Sequence, residues 1–216
     1  MRKLSSVFAL AVATAFCSCI SDNKSSQSVN TDNEVLSKNT VVETILSRRS
    51  IRKYKPQEVE ESKLDQILEC GINAPNGMGR ESWEIRVVKN PELLAQIDSL
   101  NRQFSVSVGA DPAKVRPAAY GAPVLIFIAN DTTYDLSQVD CGLLGANMIL
   151  TAQSMNLGTC CLGGIVRFMK SPQASDLLKK LDLPENYNLL YAIALGYPDE
   201  SPKAKPRNFE KIRYIE

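Results

Sequence analysis

Val124-Leu125-Ile126-Phe127-Ile128-Ala129 is an apolar run with no polar residue between its ends. A strand with no polar alternation meets water on neither face, so layers must pack on both sides of the sheet that contains it. Residues 140–155 follow as the longest and most apolar helical stretch, placed in the middle of the core. Upstream, Trp83, Ile85 and Val87 alternate with Glu84, Arg86 and Val88, as a half-buried strand does. Downstream, short strands near 159–162 and 190–195 flank a helix around 172–181. The start of the domain is helical. Thr40-Val41-Val42-Glu43 is a capping-box pattern opening a helix with Val42, Ile45 and Leu46 on one face, ending near 48–50. A second helix, 59–72, carries Leu64, Ile67, Leu68 and Ile72 at helical spacing, and another begins at Pro91 with Leu93, Leu94, Ile97 and Leu100 inward. Helices interleaved with four strand-like runs predict one mixed α/β or α+β domain with a single sheet over residues 40–216.

The 216 residues contain no His, 25 Lys+Arg and 24 Asp+Glu. Without imidazole, Ser-His-Asp and Cys-His catalysis are excluded, as is a His-rich zinc site. A formal net charge of +1 gives no bulk electrostatic hold on nucleic acid or an anionic membrane. Arg2 and Lys3 precede an apolar stretch, 4–16, whose length fits the ~7–15 residues of a secretory signal core and falls short of the ~20 that span a bilayer. Residues 21–39 are polar, with Val29, Val35 and Leu36 the only sizeable apolar side chains, too few to offset ordering entropy. The organisation expected is a leader over 1–18, a polar tether over 19–39 and a folded domain over 40–216.

Arg48-Arg49-Ser50-Ile51-Arg52-Lys53 is the most distinctive local cluster. It reads as a solvated basic surface or as an anion site, where Arg forks bind phosphate bidentately and a Ser hydroxyl adds a short hydrogen bond. Lys203, Lys205 and Arg207 form a second cationic group in a Pro-spaced segment. Folded back onto the first, it would clamp one phosphate between two distant parts of the chain. Asp131, Asp135 and Asp140 are separated by loop-like sequence and are expected in turns and caps, not around a metal. The adjacent Cys160 and Cys161 lack CxxC spacing and are expected as small buried hydrophobes rather than a redox dithiol. A Cys70–Cys141 disulfide stays open.

Taken in order, these landmarks resemble the nitroreductase family of flavin-dependent oxidoreductases. They are Arg48-Arg49-Ser50-Ile51-Arg52, Ala74-Pro75-Asn76-Gly77 leading to Trp83, the strand from Ala122-Pro123, the helix with Asp140 and Asn147, Asn156-Leu157-Gly158-Thr159 through Gly163-Gly164, and Gly196-Tyr197-Pro198 to Lys205-Pro206-Arg207. The resemblance implies an α+β fold with a central, mostly antiparallel sheet flanked by helices, in an interlocked homodimer holding FMN at its interface. It implies that Arg48, Ser50, Lys205 and Arg207 hold the FMN phosphate, with Arg49 on the ribityl side and Arg52 at the N1/O2 edge of the ring. Pro75, Asn76 and Gly77 would come from the other subunit, and Gly163 and Gly164 would bring a backbone N–H to flavin N5. The reaction implied is ping-pong hydride transfer from a reduced donor, NAD(P)H in vitro, to a nitroaromatic, quinone or activated alkene. No catalytic side chain is assigned, because the cofactor carries the chemistry.

Two departures stand out. Gly79 and Glu81-Ser82 occupy loop positions where the family commonly has Asn and Gln-Pro, and residues 101–119 are short for a lid insertion, which predicts an open substrate face. The first departure makes a second reading thinkable: a non-catalytic, flavin- or partner-binding surface lipoprotein that keeps the fold. Cys17-Ser18-Cys19 resembles a bacterial lipobox with Cys19 as the lipidated residue. The expected location is therefore an exported protein, lipid-anchored to a bacterial membrane. Such a compartment has no cytosolic NAD(P)H pool, which leaves the physiological donor open.

Overall fold

The computed structural model describes residues 40–216. The leader expected over 1–18, the tether over 19–39 and Cys19 lie outside the described residues.

The sheet has four strands, β1 (Trp83–Val88), β2 (Val124–Asp131), β3 (Gly158–Leu162) and β4 (Tyr187–Gly196), in the order β1-β2-β4-β3 with every pairing antiparallel. The apolar run at 124–129 is the second strand in, and it is buried along its length as its composition demands. Its side chains divide by parity. Leu125 and Phe127 enter one core with Ile97, Leu162, Phe168, Leu177, Ala192 and Ala194. Val124, Ile126 and Ile128 enter the other with Leu64, Ile67, Trp83, Leu144, Met148 and Ile193. The register of β2 on β4 shifts between Ile128 and Ala129, opposite Tyr191 and Leu189, a bulge that skips one residue of β4.

The helices are α1 (Thr40–Ser47), α2 (Glu61–Ile72), α3 (Pro91–Ser107), α4 (Ser137–Ser154), α5 (Gly164–Met169) and α6 (Ser175–Lys180). α2 and α4 supply the second core, and α3, α5 and α6 supply the first. Asn90 caps α3 by accepting the Leu93 N–H at 2.8 Å, with Pro91 in the first turn where no N–H is needed. α2 and α4 pack closely because Gly71 leaves room for the Met148 side chain, which a Cβ would meet at 2.5 Å.

Three local expectations need correction. The α1 face buries none of its residues, with Ile45 50% and Leu46 69% exposed. A six-residue helix, α5, begins at Gly164, where no helix was expected. Its burial comes from Ile165, Phe168 and Met169, a contact that needs the first core already assembled. The helix expected at 172–181 is a 3-10 turn, Pro172–Ala174, running into α6.

Candidate active site

The Arg48–Lys53 cluster leaves α1 and is stitched to the sheet. Ile51 donates its N–H to the Thr159 carbonyl at 2.9 Å, and Ser50 makes an isolated parallel bridge to Thr159 on β3. Ile51 is buried, and Gly158 makes the approach possible, since a Cβ there would meet Ile51 Cγ1 at 2.7 Å. The chain then pairs with the stretch after β4. Lys55 donates to the Tyr197 carbonyl at 2.9 Å and Asp199 donates to the Lys53 carbonyl at 2.9 Å. Glu200 accepts the Arg52 N–H, and Lys53 and Asp199 form an ion pair at 2.8 Å. That pair holds the Lys53 ammonium above and the Asp199 carboxyl below their usual ranges. The two carboxylates of this second segment, Asp199 and Glu200, are the partners that sequence reasoning missed. Their position three and four residues after Gly196 was the available signal.

Beside this junction lies a cleft of about 260 Å³. Arg52, Tyr120, Cys161, Gly163 and Gly164 line it, together with Asn101 and Arg116. The Arg52 guanidinium sits 6.0 Å from the Tyr120 ring centroid, within reach of the ring's electron-rich face. Arg48 and Arg52 both pull down on the Cys160 thiol, while burial pushes it up and the net direction is upward. Arg48 itself is not among the residues that line the cleft. Cβ atoms built on Gly163 and Gly164 would meet nothing within 4 Å, so the backbone there borders open space that a ligand can enter.

The other expected residues lie as follows. Arg49 turns back to α1, donating to the carbonyls of Leu46 at 2.7 Å and Arg48 at 2.8 Å, and lines a neighbouring cleft of about 200 Å³ with Glu200 and Ser201. Lys205 and Arg207 are exposed, and the Arg207 guanidinium donates to the Lys205 carbonyl at 3.2 Å. The segment leading to them is thus joined to Arg52–Lys55, but their side chains do not line the Arg52 cleft. Pro75, Asn76 and Gly77 do not line it either. They sit at the start of α4, where the Asp140 carboxylate accepts the Gly77 N–H at 3.0 Å and the Ser82 hydroxyl at 2.6 Å. Asn76 accepts the Glu81 N–H at 2.9 Å, closing a loop in which Met78, Gly79 and Glu81 all have positive φ.

Glu81 itself is exposed. Asp131 accepts from Thr133 and Asn186, a turn-closing role of the kind its surroundings suggested. Cys70, Cys141, Cys160 and Cys161 are all free thiols. Cys160 is buried as expected but Cys161 is exposed, and both line the cleft. Strand alternation is the reason: neighbours on β3 point to opposite faces. From the stretch 101–119, Asn101, Arg116, Pro117 and Ala118 line one part of the cleft.

The nitroreductase family model, described as "Nitroreductase family", matches residues 45–197. The chain belongs to the nitroreductase family. It is 30% identical over 184 residues to the NADPH-flavin oxidoreductase of Vibrio harveyi, covering 78% of this chain and 70% of that protein. Among solved structures, an FMN-bound nitroreductase from Bacteroides fragilis superposes with a TM-score of 0.74 at 28% identity, covering 83% of this chain and all of that one. An FMN-bound nitroreductase from Desulfitobacterium hafniense gives a TM-score of 0.75 at 28% identity, covering 82% of this chain and 99% of that one. The antiparallel sheet flanked by helices is therefore the nitroreductase fold.

Proposed function

We propose that this chain is an FMN-dependent NAD(P)H oxidoreductase delivering electrons to a nitroaromatic, quinone or activated alkene. The observation that carries the reading is the cleft that joins the Arg52 guanidinium to the open backbone at Gly163 and Gly164. A cation and an unobstructed peptide edge are what a ring that gains negative charge on reduction requires of its protein. FMN, when bound, supplies reversible two-electron hydride transfer at N5.

The chain's own residues then have distinct tasks. Arg52 supplies fixed positive charge, and its place is held by Tyr120 and by the Glu200 contact to its backbone. Gly163 and Gly164 offer backbone N–H without a side chain in the way. Arg48, Ser50, Lys205 and Arg207 would hold the phosphate, with Arg49 alongside, and this assignment rests on the family resemblance and on the joined segments 52–55 and 197–200. Pro75, Asn76 and Gly77 would reach the ring of a second subunit. A homodimer accounts for large apolar side chains left in water, including Val139 at 56% and Leu143 at 40% on α4 and Phe209, Ile212, Tyr214 and Ile215 at 61–91% in the C-terminal tail.

Anaerobic stopped-flow mixing of the FMN-loaded protein with NADH or NADPH tests the function, and bleaching of the flavin band is expected. A yellow protein inert to both nucleotides and to acceptors would leave only the binding role. Replacing Arg48 and Arg207 together by Ala should abolish FMN retention, and unchanged retention would remove the phosphate assignment. Export and lipid anchoring through Cys19 belong to the same proposal, supported by the leader pattern in the sequence. Palmitate labelling in cells that is lost in Cys19→Ala is the expected result.

A further inference from the structure

The Arg52 cleft carries two guanidiniums and no carboxylate among the residues that line it. The two are not equivalent. Arg52 is engaged by the Tyr120 ring and by the Ser50 carbonyl at 3.4 Å, and it faces the backbone glycines already assigned to the flavin. Arg116 is exposed and, among the described residues, has neither an ion pair nor a hydrogen bond. Asn101, half-buried on α3, also lines the cleft with its amide unpartnered among the described residues.

The backbone that carries Arg116 is nonetheless well fixed. Asp98 accepts the Ala118 N–H at 2.6 Å, Tyr120 donates to the Pro117 carbonyl at 3.1 Å, and Ala122 donates to the Ala119 carbonyl at 3.0 Å. Tyr120 adopts a φ of 57°, a conformation that costs a non-glycine residue and persists only where its surroundings enforce it. Asp98, the nearest acid on α3, is spent on backbone N–H groups and does not neutralise Arg116. The result is a planar, permanently charged fork and a neutral amide that both line a cleft with no carboxylate among its lining residues. Such a pair matches a carboxylate, which accepts two parallel bonds from a guanidinium.

We infer that Arg116, which lines the same cleft as Asn101, selects electron acceptors that carry a carboxylate, making it a specificity-determining residue of this cleft. The inference rests on the proposed oxidoreductase reading for the identity of the ligand, though the anion contact itself is independent of turnover. No covalent step involves Arg116. Its charge raises the residence of anionic acceptors through one charge-assisted contact.

The test compares matched acids and amides on the flavin-loaded full chain. Calorimetric titration with benzoate and benzamide reads binding without chemistry, and 4-nitrobenzoate against 4-nitrobenzamide reads the ratio of kcat/KM. The wild type is expected to favour the acid in both measurements. Arg116→Gln should lower that preference by about 10- to 100-fold, the span of one lost charge-assisted hydrogen bond, and Arg116→Lys should keep part of it. No acid preference in the wild type, or an equal preference in Arg116→Gln, overturns the inference. So does a variant whose reduction by NADPH slows while reduction by NADH and the acid preference stay unchanged, which would assign the contact to the donor's phosphate. If no flavin band bleaches with either nucleotide, the oxidoreductase reading fails while the benzoate titration still reports on Arg116.

Discussion

The Asp98 carboxylate on α3 accepts the backbone N–H of Ala118 at 2.6 Å, and that bond fastens the loop carrying Arg116 and Tyr120 to a core helix. Asp98 stands one residue after Ile97, which is buried in the first core, so the loop takes its position from the packing of α3. The wall of the cleft is therefore as well placed as the helix behind it.

The same bond creates a pH dependence. Burial raises the Asp98 pKa above 3.8, against the N–H groups of Ala118 and Ala119 that lower it. A folded-state pKa above the unfolded one favours the protonated acid in the fold. The contribution of this group is fully present below the unfolded pKa and is lost as pH rises through the folded value. Asp98→Asn cannot ionise, so its stability relative to wild type should climb from about pH 4 upward and then level off, as read from urea unfolding at a series of pH values. A difference that stays flat across that range contradicts the shift.

Gly158→Ala tests how the cationic cluster is mounted. The new methyl would press on Ile51 Cγ1 and Cβ, at 2.7 and 2.9 Å, where Ile51 bonds Thr159. Overpacking of this kind costs about 1–3 kcal/mol. FMN affinity should fall with stability, because Arg52 follows directly from the displaced residue, and fluorescence titration of released flavin would measure it. A destabilised variant with native flavin affinity would separate the bridge from the site.

Ser82→Ala removes the hydroxyl that donates to the buried Asp140 at 2.6 Å. Asp140 keeps the Gly77 N–H but loses a partner in a site closed to water, a change worth about 1–3 kcal/mol. The loss should appear in the unfolding midpoint, together with faster amide exchange at residues 77–82. Exchange that is unaltered there would show that the loop is held without Asp140.

Cysteine reactivity should sort by exposure. Cys161 is exposed and lines the cleft, whereas Cys141 is fully buried with its thiol pushed up to about 12, first by burial and then by the charge of Asp140. Native protein treated with iodoacetamide should be modified at Cys161 well before Cys141 or Cys160, as peptide mass spectrometry reads. FMN in the cleft should slow the Cys161 reaction. Equal rates with and without flavin would place the cofactor elsewhere.

Much of this architecture was legible without coordinates. The run at 124–129 announced a strand buried on both sides, and Trp83, Ile85 and Val87 announced one face of its neighbour. The Arg48–Lys53 cluster stood out because the rest of the chain is nearly neutral. Cys161 was misread because an apolar neighbourhood does not reveal which side of a strand each residue faces. The exposed apolar side of α1 was misread for a related reason: amphipathic spacing says that a face wants cover, not which surface supplies it.

Sequence by itself determined the element types, the double-sided sheet, the basic cluster and the family-ordered set of motifs, because these depend on residues close together in the chain. Only the tertiary structure decided that Arg52 and Gly163 share a cleft, that Asp199 and Glu200 meet the basic cluster, and that Arg116 lines that cleft while no carboxylate does. Each of those depends on pairings between distant segments, chiefly Ile51 with Thr159 and Lys55 with Tyr197, whose partners are chosen by packing of the whole sheet and not by local propensity.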